Sequence, residues 1–268
     1  MSALTLKPLA LKPLALREFD YWMLHYRRNW RATIVISVLN PLLFLLAMGA
    51  GLGRLVDDNA APGALHGAAF LAFVAPGLLA AATMQTAITE AGRPVFMAVS
   101  PGGSYRSATA GPLGPDDVLA GHMLFMAFRI VSSAACFVAA LLCFPSLRTA
   151  GLLWLTPAAL LTGLAFAAPM AAWVATLETG APMMRLFRFV IMPMYVFSGV
   201  FFPADQVPVA LRYLIYGTPL WHGTELCRGL FLGDASRPAL LGHTAYLAAL
   251  TVLGLLLARR TYRRRLFA

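Results

Sequence analysis

Six apolar runs constrain this 268-residue chain more than any other feature. They cover residues 32–53, 66–89, 118–144, 151–177, 186–202 and 240–258. Each is close to the roughly 20 residues a helix needs to cross a bilayer. In hydrocarbon a backbone has to satisfy its own polar groups, which such runs do by forming helices. Composition agrees: 60% of residues are hydrophobic and 12% are charged, against roughly 25% charged in soluble domains. The expected fold is an all-α integral membrane protein with six transmembrane helices. Asn40-Pro41 is expected to kink the first span, and Gly49 and Gly53 form a GxxxG for close helix contact. Pro193 is expected to break the fifth span.

Residues 1–31 and 259–268 flank this transmembrane domain of residues 32–258. The start repeats Leu-Lys-Pro-Leu-Ala and reads as a lead-in, without the early short apolar core of a cleavable signal. Residues 16–31 are amphipathic: Phe19, Trp22, Met23, Tyr26 and Trp30 share one helical face. Arg17, Asp20, Arg27, Arg28 and Arg31 fall on the other, with Glu18 at its flank. That pattern suits a helix lying in the membrane interface. With both tails inside, Arg54, Arg148, Arg212, Arg228 and Arg237 lie outside and, Arg129 apart, every other Lys and Arg lies inside. The bias sets both termini in the cytoplasm. The net charge of +10 therefore points to anionic membrane lipid rather than nucleic acid.

The stretch from Phe197 to Gly229 is apolar but interrupted by Gly199, Pro203, Pro208, Gly217 and Pro219. It is too long for a turn and too broken for one span. It reads as an outward-facing re-entrant pair of short helices before the last span, tolerable only where protein or a water-filled cavity surrounds it. Phe201, Phe202, Trp221, His222 and Glu225 are its candidate substrate-path residues. His222 and Glu225 are three apart, but two ligands do not make a metal site, and a hydrogen-bonded pair at the mouth of the turnback is expected instead. Cys136, Cys143 and Cys227 read as reduced packing residues. Arg129, inside the third run, either meets an acidic group of a substrate or pairs within the bundle.

No Walker A motif and no catalytic constellation appears, so no catalytic residue is assigned. The polar loop 90–117 faces the cytoplasm, and its Pro115-Asp116-Asp117 looks like a helix start. A small helix there would make a docking knob for a partner, whereas composition alone reads as a solvated loop.

At these residues the chain resembles the permease subunits of type-2 ABC exporters, with the strongest likeness to the nodulation protein J group and the daunorubicin-type drug exporters. The matching pieces are Asn40 to Gly53, Ala75 to Gln85, Pro112 to His122, Phe197 to Pro208 and Pro219 to Gly229. The resemblance implies that residues 16–31 are an elbow helix (Phe19, Trp22, Tyr26, Trp30). It also implies a coupling helix after span 2, with Ser104, Tyr105, Arg106, Pro112 and Leu113 contacting an ATPase. It further implies a permease pair, taken here as a homodimer, with two separate ATPase subunits that bind ATP and magnesium; this chain carries no cofactor. Asn40 stands where many relatives have an acid, and Ser100-Pro-Gly-Gly103 where a more regular, charged segment is usual.

The functional expectation is an inner-membrane exporter permease. It would move an amphipathic molecule outward, such as a lipo-oligosaccharide, a lipid-linked glycan or a hydrophobic drug. A self-contained secondary carrier or channel is the alternative, weakened by the scarcity of acidic residues in the spans. A membrane enzyme would have to be built from His222, Glu225 and Arg228.

Overall fold

The computed structural model describes residues 13–47, 58 and 69–267, without the side chains of 29–42 and 44. The described residues are helical, with no strand among them. The first helix, α1, runs Leu14–Leu46. After it come α2 (Phe70–Ala91), α3 (Arg93–Val99), α4 (Ser104–Thr109) and α5 (Pro115–Leu141). The second half holds α6 (Leu152–Val174), α7 (Ala181–Leu186), α8 (Met192–Phe197), α9 (Val209–Tyr216), α10 (Pro219–Leu232) and α11 (Arg237–Leu266).

Four of these segments are long and apolar enough to cross a membrane: Phe70–Val99, Pro115–Leu141, Leu152–Val174 and Arg237–Leu266. They correspond to the second, third, fourth and sixth apolar runs. The end of the first run, with Gly49 and Gly53, lies outside the described residues. Its start is continuous with residues 16–31, so no break separates the expected elbow from the expected span. The fifth run, 186–202, is helical to Phe197 in a segment that starts at Ala181, and a π-helical segment, Phe187–Ile191, sits just before Pro193. Pro193 has no N–H to continue an α ladder, and the wider π turn absorbs the missing bond instead of ending the helix.

Helix ends follow from local chemistry. Pro115 opens α5, while the Asp117 carboxylate accepts from Gly114 N–H at 3.0 Å. Thr218 caps α10, its hydroxyl accepting from Trp221 N–H, and Ser236 caps α11 through Ala239 N–H. The basic stretch expected as a separate tail continues α11 to Leu266.

The core is centred on α6, which is apolar all round and packs against α2, α5, α10 and α11. A helix without a polar face is buried on several sides. Close crossings require small residues: a Cβ on Gly223 of α10 would stand 2.4 Å from Thr162 Cγ2 of α6. By contrast α11 leaves Leu241, Val252, Leu253, Leu256 and Leu257 exposed, the side a bilayer would cover.

Candidate functional site

Two polar constellations are held in this scaffold, one at each end of α2. The first gathers around Tyr105. The loop between α2 and α5 folds into α3 and α4, and Tyr105 is fully buried inside that knob. Its hydroxyl is hydrogen-bonded to His122 Nδ1 of α5. Its ring lies 5.5 Å from Tyr262 of α11 and 6.3 Å from Trp22 of α1. Trp22 in turn stacks on His122, with ring centroids 4.0 Å apart and planes 6° from parallel. Its indole N–H donates to Glu18 Oε1 at 2.8 Å. Four elements therefore meet at one aromatic junction: the start of α1, the knob, α5 and α11.

Burial dictates the electrostatics here. It holds Tyr105 well above the usual phenol range, with Tyr262 beside it adding to the rise. Burial also raises Glu18, partly offset by the Trp22 hydrogen bond. Glu18 sits deeper than a flank position suggests because α1 crosses α5 at Gly121, where a Cβ would be 2.6 Å from Glu18 Cβ.

The predicted coupling residues divide between anchor and surface. Tyr105 turns inward. Arg106 and Pro112 are exposed, with Arg106 Nε donating to Val99 O at 3.3 Å, and Ser104 and Leu113 are half-buried. The predicted elbow aromatics pack on α5 of their own chain. Phe19 meets Phe128 edge-on, and Tyr26 meets Phe125 and Phe128. The aromatic stripe is thus a helix-packing face, while Arg17, Arg27 and Arg28 remain exposed. The Trp30 side chain lies outside the described residues.

Arg129 is paired within the bundle. Its Nε donates to Glu90 Oε1 at 2.9 Å, and its guanidinium lies over the Tyr26 ring at 4.6 Å. One turn further along, Thr86 and Ser133 face each other at 3.4 Å, so α2 and α5 share a short polar seam.

The second constellation belongs to the stretch expected to form a turnback, residues 197–229. After α8 the chain bends through Ser198–Phe202, then forms α9 and α10, the two short helices expected there. Arg228 of α10 is 4% exposed and holds the region together. Its guanidinium donates to Gly199 O at 2.7 Å, to Phe73 O of α2 at 3.3 Å and to Glu225 Oε1 at 2.5 Å. The guanidinium also lies 3.7 Å from the Phe73 ring centroid. Gly199 has φ +77°, a conformation that favours glycine and turns its carbonyl towards this cation. The planar fork of arginine suits three acceptors in different directions better than a lysine would.

His222 and Glu225 do not pair with each other. His222 stacks on Tyr246 with centroids 3.8 Å apart, and its Nδ1 lies 2.9 Å from Nδ1 of His243 in α11. Phe201 meets Tyr195, while Phe202 and Trp221 pack with Val207 and Ile215 in a small separate apolar cluster. The five predicted substrate-path residues are therefore spread over several contacts. Among the described residues no three His, Cys, Asp or Glu gather as a metal site. The three cysteines are free, and Cys227 is buried.

Sequence reading passed over Glu18, His122, His243 and Tyr262 as site residues, and named Arg228 only as a member of a possible enzyme site. Only Arg228 carried a signal, as a lone cation between Cys227 and Gly229 in an apolar stretch. The others become legible only once helices distant in sequence are brought together.

The model of the ABC-2 type transporter family matches residues 19–232. Nodulation protein J of Rhizobium leguminosarum bv. viciae is 31% identical over 258 residues, covering 91% of this chain and 95% of that protein. Nodulation protein J of Bradyrhizobium diazoefficiens is 30% identical over 91% of this chain and 94% of its own length. The Rhizobium meliloti protein of the same name is 29% identical, with matching coverage of 91% and 94%.

Proposed function

Because this chain belongs to the ABC-2 type transporter family and is a nodulation protein J-like transport permease, we propose that it forms the membrane path of an ATP-driven exporter. In this reading it crosses the inner membrane six times, with both termini in the cytoplasm. It pairs with a second permease copy, and a separate ABC ATPase subunit binds ATP and magnesium. The cargo is an amphipathic molecule, a lipo-oligosaccharide, lipid-linked glycan or hydrophobic drug, that passes the aromatic turnback on its way out. Arg129 serves as a bundle ion pair and not as a cargo ligand, since Glu90 and Tyr26 already occupy it.

The observation that carries the coupling part of the reading is the burial of Tyr105 in a knob whose outer surface is exposed. A partner pressing on Arg106 and Pro112 cannot displace α4 alone. Tyr105 transmits the push to Trp22 of α1, His122 of α5 and Tyr262 of α11, because a packed aromatic junction moves as a unit or repacks. Nucleotide-driven closure of the ATPase pair would thus reach the elbow and two membrane helices at one point.

A gentle-detergent pull-down of tagged chain from its native membranes tests this. We expect a stoichiometric co-eluting subunit with a Walker A motif. Replacing the exposed Arg106 by Glu and Pro112 by Ala should reduce its recovery without lowering the yield of the permease. A chain that elutes alone and still transports in vesicles without ATP would refute the proposal.

A further inference from the structure

A groove of about 530 Å³ runs between α1 and the knob, within the range of small-ligand sites. From α1 it is lined by Tyr21, Trp22 and His25. From the other side Arg93 and Met97 of α3 and Ser104 of α4 complete it. Its lining is largely apolar and carries the Arg93 guanidinium, the His25 imidazole and the hydroxyls of Tyr21, Thr89 and Ser104. None of its lining residues is acidic. Arg93 is exposed and, among the described residues, is in no ion pair. The apolar lining is itself open, with Met97 55% exposed.

We propose that this groove is a binding site for an anionic glycerophospholipid of the cytoplasmic leaflet. The phosphodiester would accept from Arg93 and Ser104, and the start of an acyl chain would lie along Trp22 and Met97. The proposal rests on the cytoplasmic placement of the knob given above. Charge complementarity selects the anion, since the Arg93 guanidinium and the hydroxyl donors line the groove with no carboxylate among them. The exposed apolar lining selects a lipid over a free anion, because Met97 loses water only if hydrocarbon covers it. Basic pockets between membrane helices on this side suit such headgroups. A lipid held there bridges α1 and α3, so it would brace the elbow against the knob beside the Tyr105 junction.

The test uses the full chain in phosphatidylcholine vesicles that carry a minor fraction of brominated phosphatidylglycerol, with tryptophan emission as the readout. Bromine quenches tryptophan on contact, and the Trp22 component is isolated by comparison with a Trp22→Phe variant. Brominated phosphatidylglycerol should quench Trp22 at about fivefold lower mole fraction than brominated phosphatidylcholine, the selectivity one well-placed arginine supplies. Arg93→Gln, an exposed substitution outside the core, should abolish the difference. Should Trp22→Phe fail to fold, phosphatidylglycerol retained by purified wild-type and Arg93→Gln chains, read by native mass spectrometry, makes the same comparison. Equal quenching by both lipids, or selectivity kept in Arg93→Gln, overturns the proposal. Displacement of the lipid by inorganic phosphate overturns it in favour of a free-anion site. Displacement by the assembled ATPase overturns it in favour of a protein seat. The ATPase pull-down does not depend on Arg93, so failure here leaves the exporter reading standing.

Discussion

Replacing Arg228 by Met is the perturbation that most directly tests how the turnback is held. The substitution keeps an unbranched, apolar side chain of similar length and removes every donor. Gly199 O and Phe73 O lose hydrogen bonds from a charged group, and Glu225 loses its partner. Removing one member of a buried ion pair costs about 3–5 kcal/mol, because the remaining charge stays desolvated. Glu225 is 32% exposed and relaxes partly into solvent, which places the expected loss near the lower end, ~3 kcal/mol. For a chain of this size each kcal/mol corresponds to about 2–4 °C in Tm. Arg228→Met should therefore lower the thermal midpoint of the detergent-solubilised chain by about 6–12 °C. The assay is loss of the monodisperse chromatographic peak after heating. A paired Glu225→Gln change should recover part of the loss, since it removes the stranded charge. A drop of under about 2 °C, equivalent to less than 1 kcal/mol, would refute the idea that this cation organises the turnback. So would a double variant as unstable as the sum of its parts.

Tyr105→Phe keeps the ring in place but strands His122 Nδ1, and should cost about 1–3 kcal/mol while lowering ATPase-linked transport more than permease abundance; equal losses of both would argue against a coupling role. Burial favours neutral Glu18 in the fold, so the native chain binds more protons than the unfolded one above the ordinary carboxyl value of 4.5. Stability should accordingly fall as pH rises from 4.5 through the raised native value. Glu18→Gln should flatten a Tm-against-pH curve and be the more stable chain at neutral pH; an unchanged slope would refute this. Gly223→Ala places a Cβ against Thr162 and should destabilise by about 1–3 kcal/mol. Thr162→Ala removes the two nearest atoms and should rescue part of that loss in a thermal-shift measurement.

Much of the architecture was legible in the chain. Apolar runs longer than any soluble strand, with few charges, leave helix as the way to satisfy a backbone in hydrocarbon. Four of the six runs emerge as span-length helices at nearly the expected places. The start of α5 at Pro115 and the two short helices α9 and α10 also follow from local proline, glycine and acid placement. These features depend on neighbours within a few residues, which is why sequence alone determines them.

Other features were decided by what lies across the bundle. An aromatic stripe at helical spacing suits lipid and protein equally well, and only the crossing of α1 over α5 at Gly121 assigns Phe19, Trp22 and Tyr26 to protein. The family resemblance made Tyr105 a partner contact, and the sequence of a loop shows no neighbour that would bury it. Its burial comes from His122 and Tyr262, 17 and more than 150 residues further on. Arg228 likewise finds its acceptors 29 and 155 residues away. Periodicity and composition act over a turn or two of chain, whereas the partner of a buried polar group is chosen by tertiary packing, because any desolvated donor has to find an acceptor wherever the fold presents one.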